Sequence, residues 1–167
     1  MRLFLIRHAH ALDHANDAKR PLSERGQKIT HQVAEFFKAS GRLQPAQFWH
    51  SPLQRAFETA ADLVSQLDPE IALVETEGLL PLDDPAIMAE RFRLYPTSHD
   101  VAIVGHQPHL SGLASLLVTG RASPPLFHFK KNAVLALRRS DGNFADTGLA
   151  RWRVAWHFSP EFLPDFE

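Results

Sequence analysis

Two periods alternate along the chain. Short apolar runs recur at residues 2–6 (RLFLI), 46–50 (AQFWH), 71–75 (IALVE) and 100–104 (DVAIV). Runs of this length with little polar alternation predict strands buried on both faces. Between them the apolar positions shift to helical spacing. Ser23 is a good N-cap, Ile29, Val33, Phe36 and Phe37 then share one face, and Gly41 ends the helix. Residues 51–67 (SPLQRAFETAADLVSQL) predict the clearest helix. Ser51 caps it, Pro52 takes the first position and Gln54 completes a capping box. Its apolar stripe runs through Leu53, Phe57, Ala60, Val64 and Leu67. Residues 85–95 predict a short third helix, and 109–118 a fourth with Leu110, Leu113, Leu116 and Leu117 in its stripe.

The rest reads as connection and edge. Residues 9–21 are polar and irregular, 78–85 is a proline-broken loop, and the strand at 100–108 is interrupted by Gly105 and Pro108. Residues 132–139 and 150–158 predict a terminal hairpin with its turn at SDGN (140–143) and Trp152, Trp156 and Phe158 in the core. The tail, 159–167, is expected to lie along the surface. Strands alternating with helices predict an α/β fold. The expected form is a three-layer α/β/α arrangement with a mainly parallel central sheet and an edge hairpin near the C-terminus. No repeat or linker divides it, so 1–167 reads as one domain.

Composition narrows this picture without giving it a function. The 167 residues carry a formal net charge of −1 and 44% hydrophobic residues, ordinary for a soluble globule. No global field draws the chain to nucleic acid or to an acidic membrane. The absence of cysteine excludes disulfides, thiolate metal sites and cysteine nucleophiles, and it fits a cytoplasmic setting. Arg7 and His8 interrupt the first apolar run too early for a signal peptide. No apolar stretch approaches the ~20 residues that span a bilayer.

The chemistry lies where strands end. In an open α/β sheet, ligands bind beyond the carboxyl ends of the strands. The first strand ends at Arg7 and His8, the second feeds a helix that carries Arg55, and the fourth ends at Gly105 and His106. In a parallel sheet these three junctions share one rim. Neighbouring strand residues point to opposite faces, so Arg7 and His8 meet in one site only if the backbone turns after them, as the polar loop from residue 9 suggests. Two guanidiniums, two imidazoles and helix N-termini make a cationic pocket for a phosphoryl group. Surrounding cations keep an imidazole neutral and nucleophilic, and a second imidazole can donate to the phosphoryl oxygens.

LIRHAHA (5–11), SPLQRAFETA (51–60) and AIVGHQPHL (102–110) occur in the order and spacing of the histidine phosphatase superfamily, the phosphoglycerate mutase-like proteins. The chain resembles that superfamily over roughly residues 2–120. Its small size and the RPLSERG segment (20–26) are similar to the SixA-type phosphohistidine phosphatases, which lack cap insertions. The resemblance implies that His8 is the nucleophile and forms a phosphohistidine intermediate. It implies that Arg7 and Arg55 bind the phosphate, that His106 supports it, and that Arg20 is a further phosphate-facing arginine. The implied substrate is a phosphohistidine-bearing protein, with a small phosphoester as the alternative and inorganic phosphate as product. No cofactor, metal, nucleic acid or membrane partner is expected.

The chain also departs from the pattern. The motif is usually Arg-His-Gly, and Ala9 adds a methyl at a tight turn. His10 is expected at the pocket mouth. The larger relatives carry a glutamate general acid after the third strand. Glu77 is the nearest candidate here, Asp17 and Asp83 are others, and having none at all is the fourth possibility. Other readings stand beside these. Arg55 alone could pair with Glu58 or Asp62 on an exposed helix face. His8 with His10, and His106 with His109, have spacings that can place metal ligands together, although two arginines would repel the cation. The remaining histidines read as solvated or half-buried, with His50 near the rim. A phosphate-binding module without turnover is the non-enzymatic alternative.

Overall fold

The computed structural model describes residues 1–163. Its elements run β1 (Arg2–Arg7), α1 (Glu24–Ser40), β2 (Gln47–His50), α2 (Gln54–Leu67), β3 (Ala72–Glu75), α3 (Pro85–Leu94), β4 (Val101–Gly105), α4 (His109–Thr119), β5 (Val134–Asn143) and β6 (Ala150–Phe158). Single 3₁₀ turns occupy Asp17–Lys19 and Pro160–Phe162. Of the predicted surface tail, Leu163 packs into the core, and residues 164–167 lie outside the described residues.

One six-stranded sheet, ordered β3-β2-β4-β1-β5-β6, carries these elements. β3, β2, β4 and β1 are mutually parallel, and β5 and β6 add an antiparallel hairpin at the β1 side. The alternation of β1 explains the layering. Leu3 and Leu5 pack with α3 and α4, against Met88, Phe92, Leu113 and Leu117. Phe4 and Ile6 pack on the other face with α1 and α2, against Val33, Phe37, Ala60 and Leu63. Both faces are covered, so the strand reads as a continuous apolar run. The result is the three-layer α/β/α fold expected from the sequence.

Three local expectations are corrected. α2 begins at Gln54 with Leu53 as its N-cap and no side-chain capping bond, so Ser51 does not cap it. The buried face of α2 is Arg55, Ala56, Thr59, Ala60, Leu63 and Val64, while Phe57 is 45% exposed. The stripe is thus rotated toward the face that carries Arg55. The terminal turn falls at 144–149, because β5 runs through SDGN to Asn143, which pairs with Ala150. A register shift between Arg139 and Asn143 absorbs Gly142, so that glycine serves the strand irregularity.

Candidate active site

The parallel register puts the strand ends level. Arg7 lies opposite Gly105, and His50 opposite Val104. The pairing continues past the strands, since the His8 amide donates to the Gly105 carbonyl (3.0 Å) and the Ser51 amide to the Val104 carbonyl (3.1 Å). His8, Ser51 and His106 therefore stand in one row beyond the sheet. The His8 and His106 rings are 4.9 Å apart between centroids.

His8 is oriented by its own turn. Its Nδ1 lies 2.7 Å from the Ala9 carbonyl, which can only accept. The proton is therefore on Nδ1, and Nε2 carries the lone pair. Ala9 is fully buried, and its amide donates to Thr59 Oγ1 (3.0 Å), whose hydroxyl donates to the Arg55 carbonyl (2.6 Å). The turn thus accommodates the extra methyl, and Asn132 is the only non-glycine residue with positive φ among the described residues. Burial first, then Arg55, Arg7 and Lys131, push the His8 imidazole down to about 3, against the opposing hydrogen bond to Ala9. His8 is neutral at physiological pH.

His106 is buried, and its Nε2 lies 2.8 Å from Ser51 Oγ. Ser51 Oγ also accepts from the Leu53 amide (3.3 Å). His106 Nδ1 is buried without a partner among the described residues. Burial, followed by His8, Arg55, His109 and Arg7, lowers the His106 imidazole to about 2. Arg7 donates through an Nη to the Phe129 carbonyl (2.7 Å), while its buried Nε has no partner.

Arg55 is only 5% exposed. It donates to the Asp17 carbonyl (2.9 Å) and to Asp17 Oδ2 (3.2 Å), and not to Glu58 or Asp62. Glu58 instead accepts from the Leu22 amide and from Gln54. Arg20 reaches Asp17 Oδ1 (3.4 Å), Asp13 (3.2 Å) and the Leu12 carbonyl (2.9 Å). Asp17 therefore bridges the two arginines. Burial, the largest single influence, raises its carboxyl, but Arg55 and then Arg20 together outweigh it and hold the carboxyl below the usual carboxylate range. This keeps Asp17 ionised and unfit as a general acid near neutral pH. Asp83 is committed to the Leu80 amide (2.8 Å). Glu77 is exposed, in a cleft beside Trp49, Pro52 and Arg91.

His10 is half-buried, with Nδ1 on Ser23 Oγ (2.8 Å). His50 and His109 are both buried, where the sequence suggested wetter positions. His50 Nδ1 meets the Ser51 carbonyl (3.0 Å), and its ring packs on Phe57 (5.3 Å between centroids). Three participants escaped sequence reasoning. Ser51 looked like a cap, Thr59 was passed over although it stands one turn after Arg55, and Lys131 lies far along the chain with no local motif. Among the described residues, no group of three or more His, Asp or Glu side chains is arranged to hold a metal ion.

The neutral histidines make stability pH-dependent. An unfolded imidazole takes up a proton near pH 6.5, whereas folded His8 and His106 do so only near 3 and 2. The unfolded state thus binds more protons in this window, and stability falls as pH falls below about 6.5. Urea unfolding at pH 7.5 and pH 5 should show a loss of up to about 2 kcal/mol per buried histidine. His106→Gln should flatten that slope. Equal stability at the two pH values would contradict the buried neutral pair.

This rim sets a free imidazole nitrogen near the half-buried Arg7 and the buried Arg55 at the ends of parallel strands, an arrangement able to attract an anion. The sequence matches the histidine phosphatase superfamily (branch 1) over residues 3–80. An uncharacterized protein of Picosynechococcus is 33% identical over 145 residues, covering 83% of this chain and 85% of that protein. The chain belongs to the histidine phosphatase superfamily. Its fold is similar to that of the protein histidine phosphatase SixA, solved with tungstate (TM-score 0.80, 23% identity, 96% of this chain and 97% of that one). It is also similar to that of the alpha-ribazole phosphatase of Shigella flexneri (TM-score 0.71, 18% identity, 92% and 95%). Among the described residues, no helix is long and apolar enough to cross a membrane.

Proposed function

We propose that the protein is a phosphatase working through His8, and that its substrate is phosphohistidine on a protein. The observation that supports the reading is the uncommitted Nε2 of His8, whose Nδ1 is held on the Ala9 carbonyl, with the His106 ring 4.9 Å away between centroids and Arg7 and Arg55 close enough to act on its charge. A phosphoryl group drawn to these cations presents phosphorus to the nucleophile.

In the proposed reaction His8 Nε2 attacks phosphorus in line, forming a P–N bond as the bond to the leaving group breaks. Arg7, Arg55 and His106 donate to the non-bridging oxygens, where charge shifts in the transition state. Arg20 joins them when Asp17 releases it. Water then attacks the phosphorus on His8, the P–N bond breaks with its electron pair returning to Nε2, and inorganic phosphate leaves.

The acid candidates favour the phosphoramidate over an alkyl ester. Asp17 is ionised and Asp83 is engaged, so Glu77 alone is uncommitted. A departing alkoxide needs a proton. A phosphohistidine whose far ring nitrogen is protonated leaves as neutral imidazole, whose conjugate acid has a pKa of roughly 6.5. The test compares a phosphohistidine-bearing protein with para-nitrophenyl phosphate. At least tenfold higher kcat/KM for the former is expected. Preference for the ester would move the function to small phosphoesters and make Glu77 the acid to examine.

A further inference from the structure

Beside His8, an open cleft of about 340 Å³ has walls that include Arg7, His10, Arg25, Lys131 and Asn132, and Ile29 lines its apolar part. Its walls are locked together. The Arg7 amide donates to the Ala133 carbonyl (3.2 Å), and the Asn132 amide returns to the Arg7 carbonyl (3.0 Å). The turn bearing Lys131 is thus fastened to the strand end that bears His8. Asn132 is buried in the left-handed region (φ 61°), a conformation asparagine tolerates better than most residues. Its Oδ1 accepts from Thr30 Oγ1 (3.2 Å), which ties the turn to α1, the helix whose first turn carries Arg25. The cleft wall also carries Lys130 and Glu161, which pair with each other (3.3 Å), and nearby Asp13 pairs with Arg20 (3.2 Å). Arg25 and Lys131 have no carboxylate within ion-pair distance among the described residues.

We propose that this cleft receives a carboxylate carried by the substrate next to its phosphoryl group, so that the enzyme selects doubly anionic substrates. The inference rests on the phosphatase reading of the neighbouring site. The apolar contribution of Ile29 suits the organic part of such a group better than a bare ion. Burial and the mutual repulsion of Arg7, Arg20 and Arg25 hold the Lys131 ammonium below its ordinary value, and a carboxylate would relieve that repulsion. The carboxylate belongs either to an acidic side chain flanking a phosphohistidine or to a small phosphoester.

Binding to the His8→Ala protein tests the cleft without turnover. By titration calorimetry, 2-phosphoglycolate should bind at least tenfold tighter than ethyl phosphate, which lacks only the carboxylate. Arg25→Gln and Lys131→Gln together should bring the two within threefold, and each alone should give part of that loss. Lys28→Gln, exposed on the same helix and outside the cleft, should leave the preference intact. Equal affinities at the start, or a preference that survives both substitutions, would overturn the proposal. With His8 present, phosphohistidine peptides flanked by Glu or by Gln then identify the source. A Lys131-dependent preference for the Glu peptide assigns the carboxylate to protein substrates, and its absence alongside the phosphoglycolate preference assigns it to small phosphoesters. If no donor is turned over, the phosphatase reading fails while the binding result still decides the cleft.

Discussion

His8→Ala is expected to remove turnover of every phosphodonor, with a fall in kcat on the order of 10⁴-fold or more. The size follows from what His8 does alone. It is the one imidazole in the row whose Nε2 is both unprotonated and unbonded, since Nδ1 is held by the Ala9 carbonyl. His106 cannot replace it, because its own Nε2 is occupied by Ser51. Rapid quenching with a ³²P-labelled donor should trap an acid-labile, base-stable adduct on the wild type and none on the variant. The variant should fold, since the Ala9 turn retains its bond to Thr59. Activity within tenfold of wild type, with no adduct in either protein, would remove His8 as nucleophile.

Arg55→Lys should cost about 10²- to 10³-fold in kcat/KM. The position looks conservative by charge, but the site uses geometry. The buried guanidinium spreads its Nη donors between the Asp17 carbonyl and carboxylate, the arrangement that also fits two phosphoryl oxygens. A lysine ammonium is a point charge and cannot make that fork. Steady-state kinetics with both donors would show the loss in each. Retention of more than half the activity would reduce Arg55 to a structural ion pair that fastens the Asp17–Lys19 turn.

Legibility in the sequence followed the range of the interactions. Apolar runs are local, so β1, β2, β3 and β4 were readable, and their alternation with helices gave the parallel sheet. Arg7, His8, Arg55 and His106 were readable because each sits at a predicted strand end or in the first turn of a predicted helix. Helix start signals were more ambiguous. Ser-Pro in SPLQ has the form of a cap, but the serine hydroxyl is drawn to His106, 55 residues away, and the helix starts later. The stripe of α2 was misjudged because Phe57 is large and apolar yet faces the rim, while buried Arg55 sits with the core face. Likewise SDGN has turn composition, but the antiparallel partnership with β6 carries the strand through it. Lys131 was invisible, since its place depends on two backbone bonds to the far end of the chain.

The backbone bonds that run past the strand ends have a thermal consequence. His8 and Ser51 hang on the central ladder by their own amides, and Thr76 does the same through the His50 carbonyl. His8, the proposed nucleophile, and its neighbours are therefore tied to the central ladder, and their amides are expected to exchange with solvent together with the sheet's. On heating, such a site does not come apart ahead of the protein. Inactivation and unfolding are expected to coincide, the strand-end row lasting as long as the sheet beneath it.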